Sequence, residues 1–395
     1  MKNSVLKEEW KEFIKGHLND DPFSLSLHAK SKNREELDEA ILQIHARRKA
    51  QKKLPAFSQN FDLIFPPPVS VEQSSSELTS KFKASLFKGK KFVDLTGGMG
   101  VDTYYFSQHF KEAKYVEKNE ELCELAEHNF DVLGRSNVSI INHSTEGFLN
   151  TNQEKFDLIY LDPSRRTKEN NRVFLLEDCS PNILEIEEKM LESSENVLIK
   201  ISPLADIKYL FSKLEHLQKL WVVAIRNECK ELLCQVSKSK ESERLIHTMN
   251  LYDEVEREEF IFSLEEEEEA KVQIGIPQMY IYEPNFSILK AGGFKIVGQR
   301  FNLKKLHQHS HLYTSDEKID FPGRIFELKK VLKGDKKEVK KLLGDAGLNV
   351  ISRNYPLKPD EIRKKYKLKS GDDFYLIATT LQDHSKTFLL CERIK

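Results

Sequence analysis

Val93-Asp94-Leu95-Thr96-Gly97-Gly98-Met99-Gly100 decides the fold. A short apolar run (Phe92, Val93, Leu95) ends in a loop carrying three glycines, and a helical pattern begins near Asp102. Glycine lets the backbone adopt positive φ and come close to a ligand, while the start of a helix offers N–H groups with no partner inside the helix. A strand that feeds such a loop and then a helix is the way an α/β sheet holds a nucleotide-like cofactor at its carboxyl edge. Glycine-rich turns also serve as plain tight connections, so the residues that follow must settle the reading.

Downstream the pattern alternates. Apolar runs at 91–95, 113–117, 138–142, 156–161 and 196–201 read as strands, with helical stretches between most of them, which predicts a parallel, doubly wound sheet. Leu220 to Ile225 and Leu232 to Ser237, joined by the polar stretch Asn227 to Lys230, read as an antiparallel hairpin that closes it. Upstream, Trp10, Phe13, Ile14 and Leu18, then Leu37, Ile41 and Ile44, recur at helical spacing and predict a helical N-terminal region. A basic run at Arg47-Arg48-Lys49 and the Pro66-Pro67-Pro68 break follow it, and Ser74-Ser75-Ser76 is placed to cap a helix reaching Leu86.

With 62 Lys+Arg against 63 Asp+Glu, the 395-residue chain has no global basic field, although the charge is uneven. Asp253 to Glu269 holds ten acids and one base, and Glu265 to Glu269 reads as a solvated loop or strand edge. Asp320 to Lys395 carries a net +7. In that segment a basic helix is predicted over Lys329 to Lys341, with strands around Leu348–Ser352, Phe374–Thr380 and Thr387–Glu392. Five scattered cysteines without CxxC spacing read as reduced thiols, and the charged start without an apolar core reads as a cytoplasmic chain; no membrane partner is expected. The His307-Gln308-His309-Ser310-His311 cluster lacks acidic or cysteine partners at ligand spacing, so it reads as an exposed loop, and no metal is expected.

Four strand ends carry candidate chemistry. About twenty residues past the glycines, Glu117 ends the second strand where a carboxylate accepts from ribose hydroxyls. After the third strand, Ser144 either borders an adenine or caps the next helix, with Glu146 nearby. The fourth strand delivers Asp162, followed by Pro163, which fixes the chain and exposes the preceding carbonyl. A side-chain acceptor beside a backbone carbonyl holds an N–H and aims the nitrogen lone pair, which is catalysis by positioning. Arg165 and Arg166 then serve phosphate contacts or surface ion pairs, and Lys200, before Ser202-Pro203, either lines the same crevice or snorkels.

With Asp94 to Gly100, Glu117, Ser144 and Asp162-Pro163 in register, residues 76–240 resemble the class I S-adenosylmethionine-dependent methyltransferases. The resemblance implies a doubly wound, seven-stranded Rossmann-like sheet, with Asp94, Thr96, Gly97, Gly98 and Gly100 around the donor and Glu117 on its ribose. Asp162-Pro163 is similar to the D/N-P-P-aromatic element of methyltransferases acting on nucleobase amines, but Ser164 stands at the second proline and Arg165 at the aromatic that would stack on a flipped base. Phe321-Pro322-Gly323-Arg324 through Arg353-Asn354-Tyr355-Pro356 to Cys391-Glu392-Arg393 resembles the THUMP-like module that a bacterial methyltransferase group carries behind a small ferredoxin-like domain.

The expected organisation is a helical region at 1–75, a methyltransferase domain at 76–240, a linker with a ferredoxin-like domain at 241–320, and a THUMP-like α+β domain at 321–395. The implied activity is methyl transfer from S-adenosylmethionine to a base nitrogen of structured RNA. Asp162 and Pro163 would be catalytic, with Ser164, Arg165, Arg166 and Lys200 on the substrate side, and the basic C-terminal segment suits an RNA partner. Methylation of a protein or small molecule, or RNA binding without catalysis, are the competing expectations.

Overall fold

The computed structural model describes residues 7–28, 33–165, 175–239, 244–333, 339, 347–371 and 374–395. They divide into two compact units, one within Met1–Gln218, Leu232–Ser242 and Asp253–Val255, the other within Lys219–Glu231, Glu243–Tyr252 and Glu256–Lys395.

In the first unit, β1 (Gly89–Asp94), β2 (Phe110–Glu117), β3 (Val138–Asn142), β4 (Leu158–Leu161) and β7 (Val197–Ile201) are the predicted parallel strands. β1 pairs with β2 and with β4, β2 with β3, and β4 with β7. All four residues of β4 are buried, as are four of the five in β7, which explains why they read as near-continuous apolar runs. A two-stranded ribbon, β5 (Ser164–Arg165) with β6 (Cys179–Ser180), follows the end of β4.

The predicted hairpin is β8 (Leu217–Ile225) and β9 (Glu228–Val236), joined by Arg226 and Asn227. Both joining residues have positive φ, the two-residue turn whose twist matches the flanking strands. β9 runs antiparallel to β7. The sheet order is β11-β10-β8-β9-β7-β4-β1-β2-β3, nine strands where seven were expected. The two additions are β10 (Leu245–Leu251), parallel to β8, and β11 (Arg257–Ser263), antiparallel to β10. Arg257-Glu258-Glu259 disguises β11 as part of the acidic run.

The N-terminal helices lie where the spacing predicts them. Helix Arg34–Ala50 buries Leu37, Ile41 and Ile44 against Trp10, Ile14 and Leu25. Arg47, read as part of a basic run, is buried, and its guanidinium donates to the carbonyls of Ser58, Asn60 and Leu63 at 3.1, 3.0 and 2.6 Å. Ser76 caps helix Glu77–Ser85 by accepting from the N–H of Thr79.

The second unit also holds a sheet of seven strands in the order β13-β14-β12-β15-β18-β17-β16. These are β12 (Tyr280–Pro284), β13 (Lys304–Lys305), β14 (Tyr313–Ser315), β15 (Gly323–Leu332), β16 (Asn349–Arg353), β17 (Phe374–Thr380) and β18 (Lys386–Arg393). Two expectations fail here. The start of the predicted basic helix, Lys329 and Lys330, belongs to β15, because pairing with β18 overrides the helix preference of lysine; residues 334–338 and 340–341 of that prediction lie outside the described residues. Glu265 to Glu269 form a helix, Leu264–Glu269, opened by a capping box from Ser263, and Glu267 accepts the N–H groups of Lys295 and Ile296.

Among the described residues no helix is long and apolar enough to cross a membrane, and no group of three or more His, Cys, Asp or Glu could hold a metal ion.

Candidate active site

Parallel strands end on one edge, so Asp94, Glu117, Asn142, Asp162 and Ile201 share the carboxyl edge of the sheet. The loop after β1 is tied there by backbone bonds. Leu95 N–H reaches Tyr160 O at 3.0 Å, Gly97 N–H reaches Val116 O at 2.9 Å, and Gly100 N–H reaches Gly97 O at 2.8 Å. A Cβ at Gly97 would lie 2.2 Å from the Tyr115 ring, whose hydroxyl donates to Gly98 O at 2.6 Å. Only glycine fits at 97. At Gly98 φ is +52° and the nearest atom to an added Cβ is Thr96 O at 3.7 Å, so the loop is open on that side. A ligand can approach the backbone closely there.

Asp94 is buried at the end of β1. Its Oδ1 accepts the N–H of Thr96 at 3.0 Å and its Oδ2 the hydroxyl of Thr103 at 2.7 Å. Burial pushes its carboxyl up to about 7, against those two hydrogen bonds and helped by the charges of Asp102 and Asp162. Glu117 accepts from Gly98 N–H at 3.1 Å on Oε2 and from Asn119 N–H at 2.9 Å on Oε1. A carboxylate has about four acceptor positions, so it retains capacity for a vicinal diol.

Asp162 reaches the same place. Its backbone N–H donates to Thr96 Oγ1 at 2.7 Å, and its Oδ2 pairs with Lys200 Nζ at 2.6 Å. The loop, Asp162 and Lys200 are thereby one hydrogen-bonded assembly.

Beneath it lies a group that the sequence did not reveal. Asp102, the second residue of helix Val101–Phe106, is buried and accepts from Ser75 (2.7 Å), Ser80 (2.6 Å) and Tyr160 (2.8 Å) and pairs with fully buried Lys83 at 3.0 Å. Burial pushes its carboxyl up, but Lys83, Lys200 and the Ser80 and Ser75 hydroxyls together hold it well below the usual range. An Asp in a first helical turn reads as a partner for the helix dipole. Nothing local points to Lys83.

Three parts of the chain match family profiles: residues 79–217 match "Conserved hypothetical protein 95", 280–322 a ferredoxin-like domain, and 323–393 a THUMP domain-like module. The crystal structure of a "putative methyltransferase" from Porphyromonas gingivalis W83 is 32% identical, covers 98% of each chain and superposes with a TM-score of 0.89. The chain belongs to the class I methyltransferases with a C-terminal THUMP-like domain.

Part of the methyltransferase is also similar to an rRNA methylase from Streptococcus thermophilus (16% identity, TM-score 0.31, 41% of this chain and 95% of that one). M. capricolum TrmK in complex with S-adenosyl-homocysteine is similar over 41% of this chain and 68% of its own, at 15% identity and a TM-score of 0.32. No curated protein matches the sequence.

The remaining expected site residues of this methyltransferase divide. Ser144 caps helix Thr145–Thr151, its oxygen accepting from Gly147 N–H at 3.1 Å. Thr145, its neighbour, donates to Leu95 O at 2.7 Å and pins the glycine loop. Pro163 is buried, whereas Ser164 is exposed, its hydroxyl donating to Ser180 O at 3.4 Å. Arg165 lies in β5 opposite Cys179, and Arg166 is outside the described residues.

Proposed function

We propose that the methyltransferase uses S-adenosylmethionine to methylate a base nitrogen of structured RNA. The observation that carries this reading is the Thr96 hydroxyl accepting the N–H of Asp162 at 2.7 Å, which joins the open glycine loop to the Asp-Pro strand end. The donor set suits the cofactor: Asp94 near a cationic amino group, the loop around Thr96, Gly97, Gly98 and Gly100, and Glu117 toward the ribose hydroxyls. Ser144 borders the adenine in this reading while it caps its helix. Bound there, the cofactor supplies an electrophilic methyl group.

The chain's own residues then orient the acceptor. Asp162 Oδ1 and the carbonyl before Pro163 receive N–H groups of the target nitrogen and turn its lone pair toward the methyl group. Lys200 holds Oδ2 and thereby fixes the plane of the carboxylate. The proton left over after transfer passes to Asp162 or to water. This reading assigns Ser164, Arg165 and Arg166 to the substrate side. RNA as substrate draws support from the net +7 charge of Asp320 to Lys395 and from the THUMP-like match. We assign 1–75 to a helical region, 76–240 to methyl transfer, 241–320 to a linking segment that carries β10 and β11 and to a ferredoxin-like domain, and 321–395 to RNA docking.

Incubation with tritiated S-adenosylmethionine and total cellular RNA, followed by nucleoside mapping, tests this. Label in a single base is expected from wild type and not from Asp162→Ala. Label in protein instead of RNA overturns the substrate, and no calorimetric donor binding at high micromolar concentration overturns the cofactor.

A further inference from the structure

The histidine-rich turn between β13 and β14 has a defined chemistry of its own. His307 is only 6% exposed, and its Nδ1 accepts the backbone N–H of His309 at 3.1 Å. Asn354 Nδ2 lies 3.0 Å from the same atom. An imidazole nitrogen that accepts from a backbone N–H holds no proton, so the ring hydrogen of His307 sits on Nε2. His307 is thus fixed as a neutral donor.

Two exposed imidazoles flank it, the rings of His309 and His384 lying 5.6 and 5.4 Å from its centroid. Lys305 is buried at the base of the turn, and its ammonium donates to Gln308 O at 2.8 Å. Burial pushes that ammonium down to about 8, against an upward pull from Glu267. Burial, then His384, His309 and Lys305, disfavours charge on His307, and burial, then Lys305, His309 and Arg353, does so on His311. Lys305 and Arg353 are the lysine and arginine cations that act on these two imidazoles.

The carboxylates nearby are engaged. Asp383 accepts the N–H and hydroxyl of Ser385 at 3.0 and 2.6 Å, although its charge is felt by His384. Glu283 sits between Arg324 and Arg353, with Arg353 Nε at 2.6 Å. His311, Asn354 and His384, the corners of the three segments that meet here, all have positive φ. Residues without a glycine's freedom hold such a backbone at a conformational cost. Among the described residues no group of three or more His, Cys, Asp or Glu is placed to hold a metal ion.

We propose that Lys305, His307, His309 and His384 form an anion site that receives a backbone phosphate of the RNA. The proposal rests on the RNA reading above. Phosphate oxygens accept from the fixed Nε2–H of His307 and from the two exposed imidazoles, while Lys305 supplies charge from below.

The test uses the full-length protein, total cellular tRNA and inorganic phosphate. At pH 6.5, a His309→Ala/His384→Ala variant with unchanged thermal unfolding is expected to raise the Kd for tRNA about tenfold or more, the loss of at least one hydrogen bond to a charged group. Lys305→Met is expected to lower the slope of log Kd against log salt by about 0.7–0.9. In NMR titrations, millimolar phosphate should shift the imidazole signals of wild type. Unchanged Kd and slope in both variants, with wild type binding tRNA and phosphate moving no imidazole signal, overturn the site and leave the RNA reading standing. Absence of tRNA binding by wild type overturns the RNA assignment, and the phosphate titration then decides whether an anion site exists at all.

Discussion

The Thr96 side chain accepts the backbone N–H of Asp162 at 2.7 Å across 66 residues of sequence, while the backbone N–H of Thr96 goes to Asp94. One residue thus links the acid at the end of β1 to the motif at the end of β4. Thr96→Val keeps the shape and removes the acceptor, leaving the Asp162 N–H without its partner at a cost of about 1–3 kcal/mol. The expected result is a fall in kcat of about tenfold or more with a donor Kd changed less than about threefold, and Thr96→Ser should restore the rate. A weakened donor Kd with unchanged kcat would place Thr96 on the donor side alone.

Asp162 and Lys200 form the second prediction. Their ion pair is 2.6 Å long, with side chains 31% and 14% exposed, so its stabilising effect is modest, at most about 1 kcal/mol. Its effect on rate should be larger, because Lys200 sets the plane in which Asp162 receives the substrate. Lys200→Met is expected to lower kcat, Asp162→Asn to lower it further, and the double variant to be no slower than Asp162→Asn. Multiplying effects would show that the two act independently.

The buried Lys83–Asp102 pair makes a stability prediction. Lys83 is fully buried and the Asp102 side chain only 9% exposed, and Asp102 already receives three hydroxyls. Removing the lysine alone strands a carboxylate in the core, so Lys83→Met should cost about 3–5 kcal/mol in chemical denaturation. Replacing both partners, with Asp102→Leu added, should recover part of that loss. If the double variant is less stable than Lys83→Met, the hydroxyls contribute more than the charge pair.

The sequence carried the strand ends and missed what lies between distant segments. Asp94, Glu117 and Asp162 were legible because each closes an apolar run, and parallel strands bring such ends to one edge. Lys83 and Asp102 are 19 residues apart with no shared period, and only the packing of helix Glu77–Ser85 onto helix Val101–Phe106 joins them. Ser144 caps its helix through Gly147 N–H, a bond compatible with the adenine role proposed for it. His307 read as exposed because its neighbours are polar; it is buried, and its Nδ1 meets Asn354, 47 residues later. β11 was hidden by its charge, which an edge strand tolerates because one side of it has no neighbour.

Asp94 gives the last prediction, on pH. Burial raises its carboxyl to about 7 in the folded protein, above the ordinary unfolded value near 3.8. Between those values the native state holds a proton that the unfolded chain has released. Its contribution to stability is therefore complete below about pH 4 and lost as the pH rises through about 7, a change on the order of a few kcal/mol. Asp94→Asn should flatten that slope in urea unfolding measured from pH 4.5 to 8. A cationic methyl donor beside Asp94 favours the ionised form, so donor affinity should rise with pH up to about 7, by at most about tenfold per unit, and level off above it. Calorimetry with S-adenosylmethionine from pH 5.5 to 7.5 reads this directly. A Kd independent of pH in wild type, matching Asp94→Asn, would remove Asp94 from contact with the donor's charge and leave it as a support for the loop through Thr96 and Thr103.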